Sequence, residues 1–371
     1  MNKLEGGLPK ILALPCDDGG CGWYRVRQIL AKMNELEIAT THVVDEKKDT
    51  GEELEEAITY ADAVITRNEV SHQRIMAVMR EKLPDKRFIF DHDDNTFLIQ
   101  PSNEHYKDHG VMDVVDEKTG IELWKTGERG FDAYENRKKR VALEYLLEQS
   151  TLNTAPTKRL AELWGTYNGN GKMVPNCINF EWYPDVTVRD NTKGDELRIG
   201  WQGGVSHAGD FREVGKEVAK VMRKNKNVVY YSIGAFWKVF FKGVEDRCRI
   251  LPWTAFRAHP YRMLTFDLDI AIIPLQDVEF NYFKSEVKFS EFAALKVPCL
   301  VKNEDPYKDF IEDGVTAMAY NSEKEFGEKL TELVRNEGLR KKLVKNAYDW
   351  VRAERDLDKW APKILDTYLH G

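Results

Sequence analysis

No stretch of this 371-residue chain approaches the roughly 20 consecutive apolar residues that a membrane helix requires, so no membrane span is expected. The opening Met1 to Gly20 holds an apolar run of only a few residues, which reads as a first β-strand and not as a signal peptide. The five cysteines fall at irregular spacing, with Cys16 and Cys21 too far apart for a redox pair and no second pair to complete a structural zinc site. Reduced thiols in a cytoplasmic protein are the expectation. Low-complexity tracts and internal repeats are also missing, which removes repeat architectures. Positive charge is in short supply: 55 Lys and Arg against 62 Asp and Glu leave a net charge of −7. That balance argues against a broad nucleic-acid surface while leaving room for a local basic groove. The cluster Arg137-Lys138-Lys139-Arg140 sits among glutamates on a solvated helix face.

What is present fits two α/β domains. The length is comfortable for two cores, and a composition 42% hydrophobic and 32% charged is ordinary for globular chains. Nine tryptophans suit a stacking cleft, and core packing accounts for them equally well. Short apolar runs at Lys10 to Leu14, Ala63 to Thr66, Arg87 to Phe90 and Thr151 to Thr154 alternate with amphipathic segments at Trp23 to Met33 and Asn136 to Gln149. A parallel sheet wrapped by helices has this pattern. Thr157 is placed to cap a further helix. Gln100 to Thr126 is a polar, aromatic-dotted loop, expected to be a lid.

A polar, unpatterned stretch near Asp190 to Asp195 marks the domain linker. A second strand–glycine–helix unit then starts at Leu197 to Trp201. Strands are expected at Val228 to Ile233, Arg249 to Leu251, Asp269 to Ile273 and Pro298 to Val301, and an almost wholly helical segment from Glu323 to Leu369. The expected boundaries are 1–186 plus 351–371 for the first domain and 195–350 for the second.

Four constellations carry chemistry. In Asp17-Asp18-Gly19-Gly20-Cys21-Gly22-Trp23-Tyr24-Arg25, glycines between strand and helix let backbone N–H groups approach an anion, with Arg25 one turn in. A tight structural turn explains the same cluster as readily, and its glycine spacing is wrong for a dinucleotide fingerprint. Asp91-His92-Asp93-Asp94-Asn95 crowds three carboxylates and an imidazole at a strand end, which is costly unless they are solvated, paired or used. Loop capping and a divalent metal are both open there.

The segment Gly200 to Asp210 repeats the glycine turn with Gly203 and Gly204 and places His207 near a helix start. The fourth runs from Phe280 to Pro298. Ser285, Lys288 and Glu291 are spaced to share a helical face, and Lys284 and Lys288 stack two ammonium groups at a helix start, unfavourable unless an anion binds there.

Together these segments resemble the family 4 class of retaining GT-B glycosyltransferases, in a phage and bacterial branch. The likeness runs through Gly-Cys-Gly-x-Tyr-Arg, the strand ending Asp-His-Asp-Asp, Thr157 with Leu160-Ala161, Val174 to Asn179, Gly200 to Asp210 and Pro274 to Pro298. The resemblance implies two Rossmann-like domains facing across a cleft, with the C-terminal helix returning to the first domain. It implies a nucleotide-diphosphate sugar as donor, UDP favoured and GDP second, with no metal or other cofactor required.

By the same resemblance, Glu291 accepts hydrogen bonds from the ribose hydroxyls. Lys284, Ser285 and Lys288 flank the diphosphate and sugar, with His207 and Gly204 opposite; Gly20 and Gly22 close from the first domain. Asp93 and Asp94 line the sugar or acceptor side, where Asp91 is also expected. Where many relatives carry a sugar-contacting glutamate eight residues before Glu291, this chain has Phe283, and Asn281 or Glu286 is expected to stand in.

Lysines, an imidazole and helix N-termini would stabilise the departing diphosphate, and the same-face attack would be assisted by the leaving phosphate. The alternatives are a nucleotide-sugar epimerase using Asp93 and His207, a glycosyltransferase acting on a modified DNA base, and a non-catalytic carbohydrate-binding protein. A saccharide or other small acceptor is preferred to DNA on charge, and Tyr106 and Trp124 of the loop suit stacking on a sugar ring or a flipped base.

Overall fold

The computed structural model describes residues 7–45, 51–67, 69–187 and 196–371. The linker expected at Asp190 to Asp195 lies outside the described residues.

Strands β1 (Lys10–Ala13), β2 (Thr40–Val43), β3 (Ala63–Thr66) and β4 (Arg87–Asp91) open the chain. A separate antiparallel hairpin follows, β5 (Val114–Val115) with β6 (Glu122–Trp124). Strands β7 (Leu152–Ala155) and β8 (Gly171–Met173) then complete a six-stranded parallel sheet in the order β2-β1-β3-β4-β7-β8.

The second sheet is built from β9 (Leu197–Gly203), β10 (Val228–Gly234), β11 (Cys248–Leu251), β12 (Ile270–Ile273), β13 (Cys299–Lys302) and β14 (Met318–Tyr320). All its pairs are parallel, in the order β11-β10-β9-β12-β13-β14. The central strands Ala-Val-Ile-Thr and Ile-Ala-Ile-Ile are near-continuous apolar runs because both faces of each sheet are covered. Successive side chains divide between the layers: Ile270 and Ile272 enter one core, Ala271 and Ile273 the other.

Strand order locates the ligand crevice. The second sheet runs 3-2-1-4-5-6 in its own strand numbering and the first runs 2-1-3-4-5-6, and in both arrangements ligands bind where the order reverses, beyond the strand C-termini. In the first sheet that point lies after β1, where Gly19 to Gly22 follow. In the second it lies after β9 and β12, where Gly203-Gly204 and the Pro274 to Asn281 segment follow.

The expected Glu323 to Leu369 helical segment is three helices, Glu323–Arg335, Glu337–Glu354 and Leu357–His370. The last returns to the first domain: Leu357, Ala361, Ile364, Leu365 and Tyr368 pack with Ile11, Val26, Ile29 and Leu30. Its entry is pinned where Ile178 pairs with Asp356, the Ile178 N–H donating to Arg355 O at 2.7 Å and the Leu357 N–H to Ile178 O at 2.9 Å. Buried Lys32 reinforces this junction by donating to Asp358 at 3.0 Å and Glu181 at 3.2 Å. Tyr24, Ile178 and Tyr183 join a core with Phe289 and Phe292 of the second domain, which fixes the floor of the cleft.

Three departures from the sequence expectation have local causes. Strands β2, β8 and β14 were not anticipated, being short segments of four, three and three residues. The Trp23 helix opens as a π-turn, Trp23–Arg27, before the α-helix Gln28–Glu35. The Gln100 to Thr126 loop contains the hairpin, and its Tyr106 and Trp124 pack in a small core with Phe131 and with Phe280 of the second domain. Tyr106 and Trp124 are therefore buried, 6% and 7% exposed, and not displayed for stacking on a ligand. Thr157 caps the helix Lys158–Asn168 as expected, its side chain accepting from Leu160 N at 3.4 Å.

Candidate active site

A cavity of about 290 Å³ lies between the two domains at the crevice that strand order predicts. Gly20, Tyr24, Asp93, Asp94 and Asn176 line it from the first domain, and Gln202, His207, Asn281, Lys284, Ser285, Lys288 and Glu291 from the second. Gly20 lets the walls meet: a Cβ there would sit 2.9 Å from the Phe256 ring across the cleft.

Glu291 anchors one end. It lies inside the helix Val287–Ala294, 4% exposed. Its Oε1 accepts from the Tyr24 hydroxyl at 2.6 Å and its Oε2 from Gln202 Nε2 at 2.5 Å. Because the Gln202 amide nitrogen donates, its Oε1 accepts from His259 Nε2 at 2.6 Å, which sets the ring tautomer and leaves His259 Nδ1 buried without a partner among the described residues. Trp253 and Phe256 pack around His259 with ring centroids 5.5 Å away. The carboxylate is thus presented as an acceptor for hydroxyls beside a flat aromatic patch.

The middle of the cavity holds a relay. Asp210 Oδ2 accepts from His207 Nδ1 at 2.6 Å, while its Oδ1 accepts from Gln276 N at 2.8 Å and Asn281 Nδ2 at 3.1 Å. These donors hold the Asp210 carboxyl below the usual range against the opposing effect of burial. With a proton on Nδ1, His207 turns its Nε2 lone pair to Lys288 Nζ, 3.0 Å away. Burial, reinforced by the Lys288 charge, lowers His207 to about 4, so the ring is neutral and aims the ammonium into the cavity. Burial and the nearby Lys284 outweigh the attraction of Asp210 and bring Lys288 down to about 8.

At the far end Lys284 bonds Asp94 across the cleft at 3.3 Å. Burial lowers the Lys284 pKa, yet Asp94 and Asp210 outweigh it and leave the group above its ordinary value. Asp93 pairs with Arg67 at 3.3 Å and is held well below the carboxylate range despite its burial, whereas burial raises Asp94. Asn176 Nδ2 reaches Ser285 Oγ at 2.8 Å, a second bond from domain to domain.

The structure corrects several placements. Arg25 does not reach the cavity: it is fully buried and held by Asp91 Oδ2 at 2.6 Å and Asn176 Oδ1 at 3.0 Å. Asp91 is likewise fully buried, taking further bonds from Arg67 at 2.8 Å and Thr154 at 2.7 Å, so neither faces a donor or acceptor. Glu286, 2% exposed, is paired with Arg355, and of the two residues expected to replace the missing glutamate only Asn281 lines the cavity.

Gly22 packs against Asp17, whose carbonyl a Cβ would meet at 1.9 Å, and Gly203 lies beneath the Trp201 ring; neither glycine, nor Gly204, lines the cavity. The helix starts at Val287, so Lys284 stands in the extended approach to it and not one turn before Lys288 on the same helix. In the basic cluster, Lys138 is paired with Glu135 and Arg140 with Glu144 on the solvated helix face.

Tyr24, Gln202, His259, Trp253 and Phe256 were not singled out in the sequence. Tyr24 and Gln202 sat unread inside the glycine motifs, whereas the Trp253 to His259 loop has no pattern that marks it.

Comparisons with known proteins follow this geometry. Residues 217–366 match the family model described as glycosyl transferase-like. No curated protein matches the sequence significantly. Among solved structures, sucrose-phosphate synthase from Thermosynechococcus elongatus superposes with a TM-score of 0.64 at 11% identity, covering 97% of this chain and 98% of that one. HepE of Anabaena in complex with UDP-glucose gives 0.63 at 13% identity, over 96% and 98%. A glycosyltransferase from Rickettsia africae gives 0.61 at 12% identity, over 98% of each chain. The chain has the GT-B fold of these glycosyltransferases, two Rossmann-like domains facing across a cleft.

Proposed function

We propose that this protein is a glycosyltransferase that moves a sugar from a nucleotide-diphosphate donor, UDP-linked by preference, to an acceptor hydroxyl with retention and without a metal. The observation that carries the proposal is the order of groups along one cleft. A buried carboxylate, Glu291, stands beside the Trp253–Phe256–His259 patch; two ammonium groups, Lys288 and Lys284, come next; carboxylates of the first domain close the far end. A nucleoside diphosphate sugar has the same order of parts: base and ribose, then diphosphate, then sugar. HepE, which shares the fold, was solved in complex with UDP-glucose, which supports a UDP-sugar as the donor.

In the proposed reaction the ribose hydroxyls donate to Glu291. Lys288, oriented by His207 and Asp210, and Lys284 face the diphosphate, where negative charge grows as the bond to the anomeric carbon breaks. The acceptor oxygen forms the new bond on the same face, its proton passing to the departing phosphate oxygen. Asp93 and Asp94 are committed to Arg67 and Lys284, so neither is poised as a free nucleophile. The epimerase alternative loses support for a related reason: both ring nitrogens of His207 are engaged and Asp93 is ion-paired. The five free thiols fit a reducing cytoplasm, and no helix among the described residues is long and apolar enough to cross a membrane.

A thermal-shift panel of UDP, GDP, ADP and their glucose conjugates tests the donor assignment. UDP compounds should raise Tm most, by mass action on the folded state. A panel in which no nucleotide shifts Tm would refute the proposal.

A further inference from the structure

The carboxylate proposed to receive the ribose, Glu291, is 4% exposed and has a donor on each oxygen. The Tyr24 hydroxyl holds Oε1 at 2.6 Å, and Gln202 Nε2 holds Oε2 at 2.5 Å. Gln202 belongs to β9 of the same domain, whereas Tyr24 reaches in from the first domain, 267 residues away in sequence. We infer that Tyr24 competes with the ribose: its hydroxyl takes the acceptor that the ribose needs, and a nucleoside diphosphate seats by exchanging with it. The inference rests on the nucleotide-sugar reading of the cleft.

Of the two donors, Tyr24 is the one able to give way. Gln202 is fixed at both ends of its amide, because its Oε1 accepts from His259 Nε2 at 2.6 Å. Moving it would break two bonds at once and strand a buried ring N–H. Tyr24 has an alternative partner, the buried Tyr183 hydroxyl at 3.2 Å. It lines the cavity from the π-turn Trp23–Arg27, directly after the Gly19 to Gly22 turn. Single π-turns in otherwise α-helical segments recur at functional sites. The Tyr24 ring stands edge-on to Phe256 across the cleft, with centroids 6.3 Å apart, so the whole side chain covers the proposed base-and-ribose end. Burial and the Glu291 charge raise the Tyr24 pKa well above its ordinary value, so the group keeps its proton and donates it to the carboxylate.

The exchange favours the nucleotide by count. Tyr24 brings one hydroxyl to the carboxylate and a ribose brings two, and a carboxylate offers about four acceptor positions. Binding therefore gains one charge-assisted bond on balance, and Tyr24 cancels one of the two that the ribose supplies. The bond given up is also one that ties the domains together, alongside Asn176 to Ser285 and Lys284 to Asp94. Seating the nucleotide thus trades a contact between domains for a contact with the ligand.

The test is calorimetric titration of UDP into the parent, Tyr24→Phe, Glu291→Ala and the double variant. Tyr24→Phe keeps the ring against Phe256 and removes the competing hydroxyl, so UDP should bind it about tenfold more tightly than the parent. Without nucleotide the variant should melt below the parent, having lost a buried bond, and UDP should raise its Tm by more than it raises the parent's. In the Glu291→Ala background Tyr24 has no carboxylate to hold, so the same change should shift the Kd by less than about twofold. A crystal structure of the parent with UDP reads the exchange directly. It should show the Tyr24 hydroxyl beyond hydrogen-bond distance of Glu291, more than about 3.5 Å away, and still beside Tyr183.

Unchanged or weaker UDP binding by a folded Tyr24→Phe protein would overturn the inference, and so would an equal gain in the Glu291→Ala background. If Tyr24→Phe does not fold, the crystal structure decides: a Tyr24 hydroxyl still bonded to Glu291 beside bound UDP would overturn it. All three results leave the donor assignment standing. If UDP does not bind the parent protein, the nucleotide-sugar reading of the cleft fails and the competition with it.

Discussion

Replacing Glu291 by alanine removes the buried carboxylate at the end of the cleft proposed to hold the base and ribose. In the proposed complex the carboxylate accepts from ribose hydroxyls, and a hydrogen bond to a charged group contributes about 1.5–3 kcal/mol. Donor affinity should therefore fall roughly 10- to 150-fold. The structure predicts a second cost, because Glu291 also accepts from Tyr24 and Gln202. Tyr24 retains a neighbouring hydroxyl, Tyr183, at 3.2 Å, and the Gln202 carbonyl retains His259. The Gln202 amide N–H loses its bond to Glu291, a penalty of about 1–3 kcal/mol in stability.

Glu291→Gln separates the effects, since it keeps the side-chain shape and removes the charge. Calorimetric titration with UDP at fixed ionic strength gives the affinities, and urea unfolding of the same preparations gives the stabilities. A folded Glu291→Ala protein that binds UDP within about twofold of the parent would refute the placement of the ribose, since even the weakest charged hydrogen bond exceeds that difference.

Two further predictions concern charges that the fold uses differently. Burial brings Lys288 down to about 8, and the proposed diphosphate contact uses its protonated form, so kcat/KM for the donor should hold below pH 8 and fall about tenfold per unit above it. Lys288→Arg, charged throughout, should abolish that fall, and Lys288→Ala should lower kcat; an unchanged alkaline limb in the arginine variant would contradict the assignment. Arg25→Met leaves Asp91 buried with Arg67 and Thr154 as its remaining partners, and should cost about 3 kcal/mol of stability by urea unfolding without changing the Kd for UDP. Weakened UDP binding in a folded Arg25→Met protein would return Arg25 to the donor site.

The sequence made the architecture legible because its signals were local. Glycines after β1 and β9 announced the two strand-to-helix turns, and the apolar runs of β3 and β12 announced fully covered strands. Short strands such as Thr40–Val43 and Gly171–Met173 carry little apolar surface and were invisible. Arg25 shows why site residues are harder to read. At one turn into a helix after a glycine cluster it has the local signature of a phosphate ligand, but Asp91, 66 residues away, claims it.

Partners across such distances decide burial, and neither residue's neighbours reveal them. The Gln202–His259 and Tyr24–Glu291 contacts are of the same kind, spanning 57 and 267 residues. Tyr106 and Trp124 were misplaced for a different reason: the aromatic content of a loop does not say whether its rings face a ligand or one another.

The most direct test of the account is the product itself. Purified protein would be incubated with UDP-glucose and a neutral saccharide, and the mixture analysed by mass spectrometry and proton NMR. The account predicts release of UDP that depends on the saccharide, a gain of one hexosyl unit on the acceptor, and an α-anomeric linkage that retains the donor configuration. Turnover of bound nucleotide sugar to an epimer with no acceptor present, or a β-linked product, would contradict it.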